Sequence, residues 1–264
     1  MLNLKQKPIN TRILPSKDNV GARMKSTSPI FTGFTKESLT FLSKVKEENS
    51  KDWYDENKAS YNKILLEPFQ NLVVSLSPTI QEIDPIIEIR PDIGKTISRL
   101  YRDTRFSKDK SRYRDRMWLV FKRPQKEWID SPVYFFEIRP HSFYYGLGYY
   151  AASRDTMDRV REHILNKEQT FLQATRPLLS QFELSGESYK RSLKPDLPDE
   201  IATWYNRKSF SVMVENPNIP DLFNKQLATT LRDAFILLAP LYAFLVNVEE
   251  EKRAAASPLH HLIR

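Results

Sequence analysis

The run Arg116-Met117-Trp118-Leu119-Val120-Phe121-Lys122, followed by Val133-Tyr134-Phe135-Phe136-Glu137-Ile138 and Phe143-Tyr144-Tyr145-Gly146-Leu147-Gly148-Tyr149-Tyr150, decides the fold. In the first run Met117, Leu119 and Phe121 alternate with Trp118, Val120 and Lys122, the two-residue period of a strand. The other two flank the turn-forming residues Arg139-Pro140-His141-Ser142, so the three together predict an antiparallel meander.

Outward from the meander the periodicity turns helical. Thr35 is placed to cap a helix bearing Leu39, Leu42 and Val45, and Ser50 to cap a second carrying Trp53, Tyr61, Leu65, Leu72 and Leu76, with a kink or restart at Pro68. Pro78 and Pro85 are expected to end this region, before a short strand at Ile86–Arg90. Ser153 caps a predicted helix to about Leu165, and another runs from Lys167 to about Phe182, disturbed at Pro177. A short helix near Trp204, a strand at Ser209–Val214 and a last helix from about Pro220 to Val248 complete the pattern. Its apolar part, Ala234–Val248, is fifteen residues long and contains Pro240, too short to span a bilayer. The expectation is an α+β fold: an antiparallel sheet centred on residues 116–150 with flanking N-terminal and C-terminal helices.

A chain of 264 residues with 40% hydrophobic and 12% aromatic content can bury a substantial core. The expected division is a disordered basic tail over 1–29, one domain over 30–248 and a charged C-terminal tail over 249–264. The absence of cysteine excludes disulfides, a thiolate zinc site and a cysteine nucleophile, and four histidines at no ligating spacing assign no metal. No motif identifies a cofactor, which stays unknown. Without cysteine or an Asn-x-Ser/Thr acceptor the chain suits the cytoplasm, with mitochondrial import as the alternative suggested by the basic, acid-poor N-terminus.

The net charge of +8 is unevenly placed. Residues 1–29 carry +5, and residues 90–126 carry thirteen Lys and Arg against four Asp, a net of +9. The remainder of the 30–248 body therefore sums to −6. Within the basic stretch, Arg99, Arg102 and Arg105 recur every third residue, so a helix or tight turn would put their forked donors on one face. Ser107, Lys108 and Lys110 add donors, while Tyr101, Phe106, Tyr113 and Trp118 interleave rings suited to stacking.

Arg102-Asp103-x-Arg105-Phe106-Ser107-x-Asp109-Lys110, with Tyr113-Arg114 beyond, resembles the motif of the domain of unknown function 2461 family. Phe41-Leu42, Asn49, Trp53-Tyr54, Asn57 and Tyr61 are similar to that family's N-terminal helices, and Tyr134–Ile138, Pro140 and Gly146-Leu147-Gly148 to its central hairpin; Arg161 and Ile164 fit its next helix. The resemblance covers roughly residues 30–245. The sequence departs from it at Asn49-Ser50, where an Asn pair is usual, and at Arg112, where a proline precedes the motif tyrosine. The resemblance implies a fold and a motif, and no reaction.

Three roles stay open for the basic segment. Asp103 and Asp109 can pair with the arginines and pin a loop, with Asp103 buried. Arg99, Arg102, Arg105, Ser107, Lys108, Lys110 and Tyr113 can hold a phosphate-bearing ligand, with nucleic acid or a phosphorylated small molecule as partner. Alternatively, Asp103 or Glu137 can act as the base of a hydrolase or transferase on a phosphorylated small molecule, which requires Asp103, Lys110 and Glu137 to converge in one pocket. Gly146 and Gly148 lack a dinucleotide loop's third glycine and read as relief of crowding or a bulge.

Overall fold

The structure, a computed structural model, describes residues 30–125 and 128–256. The expected 1–29 tail lies outside them. Helix α1, Lys36–Glu48, starts at Thr35, which shares a capping box with Ser38, and ends at Asn49 in the left-handed conformation. Ser50 then caps α2, Lys51–Glu56, by accepting from the Trp53 amide. Helix α3, Lys58–Tyr61, runs through a π-helical stretch at Asn62–Leu66 into α4, Glu67–Ile83.

Two expectations for this region fail. Pro78 lies inside α4 instead of ending it, because Leu72, Val73, Leu76, Thr79 and Ile80 carry one buried face across it. At about 1.5–3 kcal/mol per buried large apolar side chain, that face outweighs the rung the proline removes. Ile86–Arg90 forms no strand; it runs beside Lys122, whose carbonyl accepts from the Glu88 amide.

The meander is present as β1, Met117–Phe121; β2, Pro132–Ile138; and β3, Phe143–Tyr149. Helices α5, Arg154–Asn166, and α6, Glu168–Thr175, follow, then β4, Glu183–Ser185, a three-residue strand the sequence pattern does not announce. Helix α7, Asp199–Tyr205, strand β5, Ser211–Asn216, and helix α8, Gln226–Ala256, complete the order. The sheet is antiparallel throughout, in the order β1-β2-β3-β5-β4, and the fold is α+β.

One face of the sheet is core. Met117, Leu119, Phe121, Tyr134, Phe136, Ile138, Phe143 and Leu147 are buried in one cluster with residues of α4 and α8. Helix α8 runs past the expected end at Val248, so Glu249, Glu250 and Glu251 stand on a helix instead of in a tail. The reason is tertiary: Glu250 pairs with Arg123 at 2.8 Å, and Glu251 pairs with Lys167 and lies 3.4 Å from His163 Nδ1. Residues Gln226–Glu251 are long and apolar enough to cross a membrane, correcting the fifteen-residue reading. Leu227, Leu231, Phe235, Leu238, Leu241, Tyr242 and Leu245 are nevertheless buried against the sheet and α4–α6, which makes α8 the central core helix.

On the opposite face, register puts Trp118, Glu137, Tyr144 and Glu215 in one cross-strand row and Val120, Phe135, Gly146 and Met213 in the next. The two β3 glycines serve close approach, without a bulge in the ladder. A Cβ on Gly146 would stand 2.1 Å from the Val212 carbonyl oxygen, and one on Gly148 2.4 Å from the Ser211 Cα.

Candidate functional site

The basic segment folds over the sheet's open face beyond β1. Residues 96–98 pair along β1: the Ser98 amide donates to the Trp118 carbonyl and the Val120 amide to the Thr96 carbonyl. The chain then turns back on itself, with Tyr101 and Tyr113 bridged and the Arg102 amide donating to the Arg112 carbonyl. Asn49, the left-handed cap of α1, fixes this hairpin-like excursion because its Oδ1 accepts from the Arg112 amide at 2.6 Å. A proline at 112, as in the resembling motif, has no amide hydrogen to make that bond. Residues 99–105 form no helix, yet Arg99, Arg102 and Arg105 line one cavity; the segment's fold, not helical spacing, brings them together.

That cavity is a surface cleft of about 640 Å³. Lys95, Arg99, Arg102, Arg105, Arg114 and Lys122 line it, with Asp103 the single acid, and Tyr101, Trp118 and Trp128 supply aromatic walls. A second cleft of about 240 Å³ shares Arg114, Trp118, Val120 and Trp128 with it and adds Arg116, Phe135, Glu137 and Tyr150.

The two cations common to the β1 side are unusual. Arg114 lies over the Trp118 ring with its guanidinium carbon 4.8 Å from the centroid, and its Nη1 donates to the Arg99 carbonyl at 3.2 Å. The Lys122 ammonium stands 3.7 Å above the Trp128 centroid. Both are half-buried, and among the described residues neither forms an ion pair with a carboxylate. Burial lowers the pKa of each below its ordinary value, since desolvation of the cation outweighs the pull of Glu137 on Arg114 and of Glu88 on Lys122.

The other sequence-derived candidates separate by position. Arg102 is held by Asp109 and by the Ser111 and Ser107 hydroxyls, so it is oriented but partly neutralised. Asp103 pairs with Arg105 at 2.6 Å, as the pinning reading requires, but it is exposed instead of buried. Hydrogen bonds from the Arg105 side chain and amide pull its carboxyl down to about 2, which makes it a poor base. Ser107, Lys108 and Lys110 line neither cleft, and the Lys110 ammonium donates to the Thr104 carbonyl. Tyr113 does not offer its ring: it is buried, stacked on Tyr54 at 5.1 Å and edge-on to Tyr101. Glu137 sits in the second cleft between Arg139, at 2.6 Å, and Arg116, at 3.9 Å. Asp103, Lys110 and Glu137 therefore do not meet in one pocket.

Lys95, Arg114, Lys122 and Trp128 are cleft residues that the three-residue spacing of the arginines does not reveal. The alternation Trp118, Val120, Lys122 carried the signal for one of them, since it places Lys122 on the same side of the chain as Trp118.

A comparison with curated proteins returns no match. The sequence model of a conserved hypothetical protein family, DUF2461, matches residues 37–244, a span running from α1 into α8 and including the whole basic segment and the sheet. The chain therefore belongs to the domain of unknown function 2461 family.

Proposed function

We propose that the protein binds a phosphate-bearing ligand, nucleic acid or a phosphorylated small molecule, in the basic cleft. The observation that carries this reading is the pair Arg114 and Lys122: half-buried, stacked on Trp118 and Trp128, and in no ion pair with a carboxylate among the described residues. Two desolvated cations in one cleft, with no carboxylate in direct contact, are costly to bury, and an anion entering the cleft relieves that cost. Arg99 and Lys95 add donors at the same wall, and the tryptophans can flank a flat group.

The arrangement favours binding over catalysis. General-base catalysis needs a carboxylate of suitable basicity beside the reacting atom, whereas Arg105 makes Asp103 a weak base and Glu137 lies in the neighbouring cleft against two arginines. We place this binding in the cytoplasm, on the cysteine-free composition, with mitochondrial import as the alternative that imaging of a tagged full chain decides.

Tryptophan fluorescence tests the reading directly. Inorganic pyrophosphate and a twelve-nucleotide oligothymidylate are titrated at about 50 and about 200 mM salt. Binding should perturb emission and weaken with salt, and the double substitution Arg114→Gln and Lys122→Gln should abolish it while circular dichroism stays unchanged. Removing residues 1–29 should lower only the salt-sensitive share of oligonucleotide affinity. Absence of binding by both probes, or equal binding by the double variant, refutes the reading.

A further inference from the structure

Phe106 is 96% exposed, although the segment bearing it is tied down. Arg105 is clamped to Asp103, Lys110 donates to the Thr104 carbonyl, and Asp109 accepts from the Ser111 amide while pairing with Arg102. The loop 102–111 is closed by its own bonds, and its one large apolar side chain stands exposed to water. Arg105, which precedes it, lines the basic cleft and lies 5.8 Å from the Phe106 ring.

Two other rings are exposed along the same feature. Tyr101, 56% exposed, lines the basic cleft; Tyr150, 71% exposed, lines the second cleft and packs on Trp128, which lines both. Three largely exposed aromatic rings thus accompany a cleft in which Lys95, Arg99, Arg114 and Lys122 form no ion pair among the described residues. A free phosphate or a compact phosphorylated metabolite satisfies the cations and leaves the rings in water. An anionic bilayer would cover Phe106, but a flat surface cannot reach Arg114 and Lys122 inside the cleft. A chain of phosphates carrying unpaired flat bases satisfies both.

Resting on the phosphate-binding reading, we infer that the ligand is a single-stranded nucleic acid, its backbone held in the basic cleft and its bases stacked on Phe106, Tyr101 and Tyr150. Duplex fits less well, because its bases are already stacked on one another and present no free faces to the rings.

Fluorescence anisotropy of a labelled oligothymidylate with the full chain tests the assignment, beside a duplex of equal length, unlabelled pyrophosphate read by tryptophan emission, and phosphatidylserine vesicles. Phe106→Ala should weaken oligothymidylate binding about tenfold, the loss of one stacked base, and Phe106→Trp should restore it. The single strand should outcompete the duplex. Phe106 makes no core contact, so circular dichroism should be unchanged in both variants. Three results overturn the inference and leave phosphate binding standing: an unchanged oligothymidylate affinity in Phe106→Ala, an equal loss for pyrophosphate and oligonucleotide, or a loss confined to vesicles. Failure of pyrophosphate and oligonucleotide alike overturns the underlying reading instead.

Discussion

Asp84 closes the segment that carries the cleft, and replacing it should be costly. It follows the last turn of α4, is 4% exposed, and accepts from Arg123 Nε at 2.6 Å, the Tyr242 hydroxyl at 2.7 Å and the Ile86 amide at 3.0 Å. Arg123 lies just beyond β1, so this contact pins the two ends of the basic excursion to each other and, through Tyr242, to α8. Asp84→Ala leaves the Arg123 charge with only the half-exposed Glu250 carboxylate and strands a buried tyrosine hydroxyl. Removing one partner of a buried pair costs about 3–5 kcal/mol, and Tyr242→Phe alone should cost about 1 kcal/mol. In the Asp84→Ala background the tyrosine change should cost nothing further, a coupling of about 1 kcal/mol. Urea denaturation at neutral pH measures all four proteins. The pH dependence is a second check. Burial by itself pushes the Asp84 carboxyl up, but the bonds from Arg123 and Tyr242 prevail and hold it below the usual carboxylate range. A depressed pKa contributes stability above the unfolded-state value, about 3.9, and loses it as pH falls through the folded-state value. The gap between wild type and Asp84→Ala should therefore shrink below about pH 4. A loss under about 1 kcal/mol at pH 7, or a gap that widens on acidification, refutes the clamp.

Asp103→Asn should leave the melting temperature within the scatter of the measurement, because its pair with Arg105 is exposed; a clear drop would restore the structural role expected from sequence. Arg161→Met should destabilise by about 3 kcal/mol in thermal or chemical denaturation, since the buried guanidinium donates to the Tyr205 and Arg207 carbonyls at 2.8 and 2.7 Å and anchors the turn after α7. His163 is buried against Phe244 and its pKa is lowered chiefly by that burial, so stability present above about pH 6.5 should decline as pH falls, and His163→Phe should flatten that slope. In side-chain NMR, the Lys122 ammonium should titrate below an ordinary lysine, and pyrophosphate should move it back up; no change on saturation would place the anion elsewhere.

The sheet was legible because its strands are one-sided. Met117, Leu119 and Phe121 must be apolar where they meet α4, while Trp118 and Lys122 need not be, and that contrast is written into the alternation itself. The end of α8 was hidden because Glu249–Glu251 look like solvated charge until Arg123, His163 and Lys167 are brought alongside from distant positions. Pro78 misled for a related reason: local propensity opposes it, and only the buried face of α4 shows why the helix continues. The cleft was half legible. Clustered arginines announced a basic surface, but which cations stay unneutralised depends on pairing, and pairing assigned Arg102 and Arg105 to nearby aspartates while leaving Arg114 and Lys122 on tryptophan rings.

The glycines of β3 set limits on what genetics can say about this protein. At 146 and 148 any side chain collides with the backbone of β5, so each missense allele at these codons should behave as a null through misfolding. Such alleles would map to the open face of the sheet, beside the cleft, and be mistaken for lesions in the cleft itself. Alleles at Phe106 or Lys122, which leave the ladder untouched, are the ones whose phenotypes separate loss of activity from loss of protein.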